Sequence, residues 1–336
     1  MMGAMKHKNL PLVLLSFLLF SSSVKAHAQT CLTASDMDAP TRSALEAAGK
    51  RYFEMAARGD AAGMKQNSIA ALAADFSGVE TAVKDNQSAL AGVQPTLEPP
   101  FLLKAEGDKP LERAEFLCGV FSKNGQTANS AAFVIPNLAP GSYAVVILGV
   151  PGPKAKTVSF VLQQQGAEWK IGGFYVRASQ AAGHDYSWYA EKARAFKAKG
   201  QDHDAWLYFT EARELASPLT FMYTQKTDKL YDESQGAKPA DMPAAGSPTE
   251  LAAAGKTYKL TTMFAVAVGD ELDVVVKYQV ASVSNTDETF KENMAVIHAL
   301  VAKYPELREA FTSVVARAVE PSGRDYGAML PMKEIK

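Results

Sequence analysis

Downstream of residue 28, histidine occurs in three short segments, whose residue types could do acid–base or metal chemistry. They are Asp202-His203-Asp204, His184-Asp185 and the single His298. Aspartate beside histidine can ligate a metal or form a catalytic pair, but aspartate is also a common helix cap. The first two clusters lie at predicted helix starts, and His298 lies on the apolar side of a predicted helix. We therefore expect capping on a solvated loop and core packing, with no metal, no cofactor and no catalytic residue.

Longer motifs that would define an enzyme class do not occur in the sequence. There is no Gly-x-Ser-x-Gly turn, no His-Glu-x-x-His helix and no glycine-rich phosphate loop. The 35 basic and 36 acidic side chains give a net charge of -1. Such a balance does not attract nucleic acid or an anionic membrane, so we expect neither as a partner.

The first 28 residues have the pattern of a cleaved export signal. Lys6 and Lys8 precede an apolar run over residues 10–20, and Ala26-His27-Ala28 supplies the small residues of a cleavage site. This run is shorter than the roughly 20 residues of a membrane-spanning helix. We expect a periplasmic or secreted mature chain without stable membrane insertion, with a retained anchor as the alternative.

The mature chain then contains two cysteines, Cys31 and Cys118. A pair of thiols in an oxidising compartment usually forms a disulfide, so we expect this bridge. Two free buried thiols are the alternative.

Residues 29–180 predict an α+β domain with its helices first. Apolar residues three and four apart indicate a helix over 40–58, Asp60 can cap a second helix, and Ser77-Gly78-Val79-Glu80 has the form of a capping box. Six strands are expected afterwards, at 101–104, 115–121, 131–135, 142–148, 157–163 and 169–176. This order predicts helices that cover one face of a curved antiparallel sheet.

Two segments of this domain resemble the nuclear transport factor 2-like superfamily, which includes ketosteroid isomerase. They are residues 52–60, an aromatic helix end followed by Gly-Asp, and residues 168–175, with Trp-Lys-Ile and a following aromatic. The resemblance implies a cone in which helices and the concave sheet face surround a pocket. It implies no particular chemistry, because the superfamily contains isomerases, dehydratases and non-catalytic binding domains.

Five aromatic residues are the candidate lining of that pocket: Tyr52, Phe53, Phe133, Trp169 and Tyr175. Plain core packing is the alternative explanation for all of them. No enzyme motif of the superfamily matches residue by residue, so no catalytic residue is transferred.

Residues 181–232 predict a helical hairpin that resembles a single tetratricopeptide repeat. The matching residues are Ala193, Phe196, Gly200, Ala205, Phe209, Ala212 and Pro218. One repeat cannot bury its own apolar face, so it must pack on a neighbouring domain. An unrelated helical hairpin is the alternative.

A linker rich in Ala, Gly and Pro is expected over 233–256, with a short helix at the capping box Ser247-Pro248-Thr249-Glu250. Residues 257–336 predict a small ββαβ layer with strands at 258–268, 271–280 and 312–320 around a helix at 286–303. Residues 309–319 could instead be helical.

These features indicate an exported, non-catalytic binding protein whose partner is a protein, a peptide or an apolar small molecule. An isomerase-, dehydratase- or hydrolase-like enzyme that uses the cone pocket is one alternative. A structural component of the cell envelope is another.

Cleavage after Ala28 is testable on exported protein. We expect intact-mass analysis to give a chain that begins at Gln29, with a mass increase of about 2 Da on reduction of one disulfide. Retention of the leader, or two alkylatable thiols in oxidised protein, would contradict this expectation.

Overall fold

The computed structural model describes residues 29–122, 125–126, 129–244 and 246–336. The expected export signal lies outside the described residues. Within them the chain is a mixed α+β protein whose strands pair mostly antiparallel.

The N-terminal part starts with one strand and four helices, followed by a series of strands. The first elements are β1 (Gln29–Leu32), α1 (Ala39–Ala57), α2 (Ala61–Gln66), α3 (Ala70–Ala74) and α4 (Ser77–Leu90). The strands are β2 (Thr96–Leu97), β3 (Phe101–Ala105), β4 (Leu111–Cys118), β5 (Phe121–Ser122), β6 (Gly125–Gln126), β7 (Ala131–Leu138), β8 (Gly141–Val150), β9 (Lys156–Gln165) and β10 (Glu168–Ala178).

The remaining chain contains three helices, then a sheet with further helices. Its first elements are β11 (Gln180–Ala181), β12 (His184–Asp185), α5 (Tyr186–Ala198), α6 (Asp202–Ala216), β13 (Met222–Thr224) and α7 (Gln225–Ala237). The last are β14 (Thr249–Ala253), β15 (Lys256–Val268), β16 (Glu271–Gln279), α8 (Thr286–Lys303), α9 (Leu307–Ala310), β17 (Ser313–Val319) and β18 (Asp325–Pro331), before a 3₁₀ turn at Met332–Glu334.

Aspartate side chains start the first two helices. The Asp38 carboxylate accepts the Thr41 N–H at 2.8 Å, and Asp60 accepts the Gly63 N–H at 2.8 Å. The capping box expected at Ser77 is wrong, because Ser77 already belongs to the helix and its hydroxyl donates to Asp75.

The expected antiparallel strands form two stacked sheets rather than one. The larger sheet has the order β1-β3-β8-β9-β10, with β2 beside β8. The smaller sheet has the order β13-β7-β4. Strand β8 is buried without interruption from Tyr143 to Leu148, so its side chains enter a core on each face. Alternate residues face the helices, and the others face the smaller sheet.

The Cys31–Cys118 disulfide is confirmed and joins β1 to β4. The two Cα atoms lie 4.9 Å apart across a sequence separation of 87. Closing a loop of this length removes entropy from the unfolded chain worth about 4–5 kcal/mol in the chain-entropy model.

Helices α5 and α6 pack against each other, and α7 packs against α6 as a third helix. Gly200 makes the turn with a φ of 76°, a conformation that favours glycine. The five alanine and phenylalanine positions of the repeat-like pattern are buried: Ala193, Phe196, Ala205, Phe209 and Ala212. The repeat-family assignment itself stays a prediction.

Helices α5, α6 and α7 are here called the helical part. Strand β13 connects this part to the N-terminal domain. After α6 the chain adds Met222–Thr224 to β7 as an antiparallel neighbour. The helical part is thereby held to the smaller sheet by backbone hydrogen bonds.

The C-terminal sheet has the order β14-β15-β16-β17-β18, with a parallel pair between β16 and β17. The short helix expected at Ser247-Pro248-Thr249-Glu250 is wrong, because this segment leads into β14. In β14 the side chains of Leu251 and Ala253 are buried and those of their neighbours Glu250 and Ala252 are exposed. Ala254 and Gly255 then turn the chain toward β15, with φ values of 48° and 76°. Residues 309–319 were expected to be either a strand or a helix. The chain leaves α9 there and forms strand β17.

The packing of α5 on α6 is testable with one substitution at two positions. Ala205 is fully buried, so Ala205→Leu should destabilise the fold by about 1–3 kcal/mol through overpacking. Ala198→Leu, at an exposed position of α5, should change stability by less than about 0.5 kcal/mol. Urea unfolding measures both, and equal effects would contradict this packing.

Candidate functional site

A large open groove lies between the N-terminal domain and the helices α6 and α7. Its volume is about 1200 Å³. The loop before β3 and the segment after β1 form one wall, and the end of α6, β13 and the first turns of α7 form the other. The groove therefore exists because β13 places the helical part against the smaller sheet.

Apolar side chains make up much of the groove surface. They are Pro100, Phe101, Leu215, Ala216, Pro218 and Met222. Phe101 packs edge-on against Phe133, with ring centroids 5.3 Å apart. Phe133 is fully buried in the core between the two sheets, so it supports the groove surface from behind.

Charges of both signs surround the apolar surface. The basic residues are Arg42, Lys226 and Lys229, and the acidic residues are Glu98, Asp228, Asp232 and Glu233. Lys226 lies 4.4 Å from the centroid of the Tyr186 ring, and Glu233 accepts two hydrogen bonds from Arg194. The groove thus offers apolar area and local charges without one dominant sign.

The disulfide stabilises two segments of the groove wall. Cys31 precedes Thr33 by two residues, and Cys118 lies opposite Ala131, the neighbour of Ser130. Thr33 and Ser130 both line the groove. The Thr33 hydroxyl donates to Asp36 at 2.5 Å, and this hydrogen bond lowers the pKa of Asp36.

Three of the five aromatic residues expected to line a cone pocket lie together between the helices and the larger sheet. Tyr52, Phe53 and Trp169 belong to one buried cluster. The Tyr52 hydroxyl donates to the Trp169 carbonyl at 2.5 Å and accepts from Arg51 at 2.6 Å. Burial raises the pKa of Tyr52, so the phenol stays neutral.

The other two expected residues lie elsewhere. Phe133 is on the far side of the larger sheet, as described above, and Tyr175 is 40% exposed beside Phe221. The structure therefore does not bring the five side chains together around one space. Their role in binding stays a prediction.

His203 belongs to a partly buried hydrogen-bond network, and the expectation of a solvated loop at Asp202-His203-Asp204 is wrong for His203 and Asp204. Its Nδ1 lies 2.9 Å from Glu306 and its Nε2 lies 3.0 Å from Asp241. The Tyr304 hydroxyl donates to Asp241 at 2.7 Å. Burial disfavours the Asp241 carboxylate, but the hydrogen bonds from Tyr304 and His203 outweigh it and lower the pKa of Asp241.

This network connects the start of α6 to the turn after α7 and the end of α8. Both nitrogens of His203 are engaged by carboxylates and only 11% of its side chain is exposed, which suits a structural clamp. No group of three or more histidine, cysteine or acidic side chains placed for a metal occurs in the part of the chain that the structure describes.

Asp204, one residue along, is the least satisfied acid among the described residues. It is fully buried, and neither carboxylate oxygen has a hydrogen-bond partner. Burial, with Glu306 and Glu309 nearby, raises the pKa of Asp204 to about 7. Its position in the first turn of α6 suggested a helix cap, and the sequence contains no signal that this acid is buried.

The two other histidines among the described residues, His184 and His298, have simple roles. Asp185 caps α5 as expected, accepting from Ser187 and Trp188, and the Ser187 hydrogen bond lowers the pKa of Asp185. His184 stacks on Trp188 with ring centroids 3.7 Å apart. The core position expected for His298 is wrong, because its side chain is exposed on α8.

Local sequence patterns do not indicate the groove residues, because these residues come from segments far apart in the chain. Pro99 and Pro100 precede β3, while Lys226 and Lys229 lie on α7, whose residues were expected partly in the hairpin and partly in the linker. No local pattern indicates that these segments meet.

Comparisons with protein-family models, curated proteins and solved structures find no match for this chain. The resemblances to the nuclear transport factor 2-like superfamily and to the tetratricopeptide repeat therefore stay predictions. None of the described helices has the length and apolar character needed to cross a membrane.

The burial of Asp204 predicts a pH dependence of stability. Because its folded pKa of about 7 is above its ordinary value of 3.8, the unfolded chain loses this proton first as pH rises. The contribution of Asp204 to stability therefore falls between about pH 4 and pH 7 and is constant above that range.

Asp204→Asn should remove this contribution. We expect the difference in Tm between pH 5 and pH 8 to shrink by at least about 2 °C, measured by calorimetry. The control Asp202→Asn changes an exposed acid of the same helical turn and should leave the difference unchanged. If Asp204→Asn leaves the difference in Tm between pH 5 and pH 8 unaltered, Asp204 is ionised in the folded protein over this whole pH range.

Proposed function

We propose that this chain is an exported binding protein that holds an extended peptide segment of a partner protein in the groove. The observation that supports the proposal is the groove's size and form. Small-molecule pockets usually enclose about 300–1,000 Å³, whereas this groove is open and has a volume of about 1200 Å³.

The composition of the groove suits a peptide. Burial of apolar side chains against Phe101, Leu215 and Met222 would supply most of the affinity. Lys229 on one helix and Glu98 on the opposite wall offer charges that can select the direction and register of a bound chain.

The disulfide supports an exported location for this function. Disulfides persist in oxidising compartments such as the periplasm or the extracellular space. The Cys31–Cys118 bridge also holds the wall that contains Thr33 and Ser130. Periplasmic or secreted localisation is part of the proposal.

Catalysis in a cone pocket has less support from the structure. An isomerase of this type needs a buried acid with an altered pKa. The buried cluster that contains Tyr52 and Trp169 is apolar, and every aspartate and glutamate described between residues 29 and 180 is at least partly exposed. Binding is therefore the function that we propose.

Peptide selection tests the proposal. The oxidised mature chain would be screened against a display library of random peptides of about 12 residues, and selected peptides measured by fluorescence anisotropy. Ala216→Trp places a large ring on the apolar surface of the groove, so we expect it to weaken binding by at least about tenfold, or 1.4 kcal/mol.

The matched control is Ala47→Trp, at an exposed position of α1, which should bind as the unmodified protein does. Both variants should keep the circular dichroism spectrum of the parent. Selection of no peptide, or equal binding by Ala216→Trp, would refute the groove as a peptide site.

A further inference from the structure

The C-terminal sheet has one face that its helices do not occupy. Helices α8 and α6 pack on the face that contains Met263, Leu272, Val274, Val276 and Tyr278. The opposite face, here called the outer face, includes Phe264, Val266, Val268, Val275, Val315 and Met329. Val268 is 58% exposed and Met329 is 55% exposed.

The apolar residues of the outer face are aligned across four strands. Phe264 pairs with Val275, Val275 with Val315, and Val315 with Met329. They form one continuous apolar row perpendicular to the strands. Val266 and Val268 extend it toward the tip of the β15–β16 hairpin.

Charges are distributed unequally on the two sides of this row. On one side, Lys277 and Arg317 are direct cross-strand neighbours. On the other side of Val275, the same face of β16 carries Asp273 and Glu271. Along β16, therefore, Lys277 and the exposed acid Glu271 lie on opposite sides of the apolar row.

The local partners of these charges differ. Arg317 pairs with Asp325 at 2.8 Å. The Lys277 ammonium lies 5.7 Å from the centroid of the Phe264 ring. Asp273 is only 2% exposed, and its Oδ1 has no hydrogen-bond partner.

We propose that the outer face binds a second copy of this chain, sheet against sheet, about a twofold axis that runs along the apolar row. Such an axis reverses the strand direction, so Lys277 of each copy lies toward the exposed Glu271 of the other, while Asp273 is too buried to take part. The apolar rows meet at the centre, and two identical sets of opposite charges lie beside them. The face is thus complementary to itself, as a twofold interface requires.

The size of the face indicates the strength of this dimer. With strands about 4.8 Å apart and a rise of about 3.3 Å per residue, four strands of seven residues span roughly 20 × 23 Å. This area, roughly 450 Å², is below the ~800 Å² that each partner contributes to a standard interface. We therefore expect this dimer to be weak.

Sedimentation velocity of the oxidised mature chain over about 1–200 µM tests the proposal. We expect the weight-average mass to double as concentration rises. Met329→Glu places a charge in the apolar row and should keep the protein monomeric over this range. Val268→Glu changes the outer face at the tip of the β15–β16 hairpin and should have the same effect. It serves as the test if Met329→Glu does not fold.

Charge reversal tests the orientation. Lys277→Glu places like charges opposite each other, so it should weaken the dimer by about tenfold or more. The double variant Lys277→Glu/Glu271→Lys should recover at least part of the loss, since opposite charges face each other again. The control Leu117→Glu changes a side chain that is 62% exposed on β4 of the smaller N-terminal sheet. It should leave the association unchanged.

Three results would overturn the proposal. They are a monomer at every concentration, a dimer that folded Met329→Glu and Val268→Glu both leave intact, and a dimer that Leu117→Glu disrupts. This proposal does not depend on peptide binding in the groove, and peptide selection does not test it.

Discussion

The rest of the structure depends on the need to bury both faces of strand β8. Its side chains from Tyr143 to Leu148 are buried without interruption, so helices alone cannot complete its core. The smaller sheet covers the second face, and that sheet is completed by β13 from beyond α6. Backbone pairing of β13 with β7 therefore positions α6 and α7, and the groove forms between them and the N-terminal domain.

Different interactions hold the helical part to its two neighbours. On the N-terminal side the connection is made by backbone hydrogen bonds, by apolar contact of Leu219 and Met222 in the core between the sheets, and by the ion pair of Arg177 with Glu214. On the C-terminal side it combines apolar packing with the polar network of His203, Asp241 and Glu306. Asp204, one residue from His203, is a buried acid at this junction whose pKa is raised to about 7.

Periodicity predicted most of the individual elements because local spacing determines which side chains share a face. Helix α8 was expected over its observed range, and the strands β3, β8 and β10 were expected within one or two residues of their observed ends. The errors occurred where a local motif competed with tertiary packing. Ser247-Pro248-Thr249-Glu250 has the form of a helix start, yet pairing with β15 and burial of Leu251 and Ala253 make the segment after it a strand.

The sequence by itself determined the α+β composition, the helical hairpin and the two cysteines available for a bridge, since each depends on residue type and short-range spacing. Only the tertiary structure decided which strands share a sheet, that Asp204 is buried, and that Phe101, Leu215 and Lys229 line one groove. These facts depend on contacts between residues tens to more than a hundred positions apart. Such contacts are selected by the packing of whole elements, about which a local pattern carries no information.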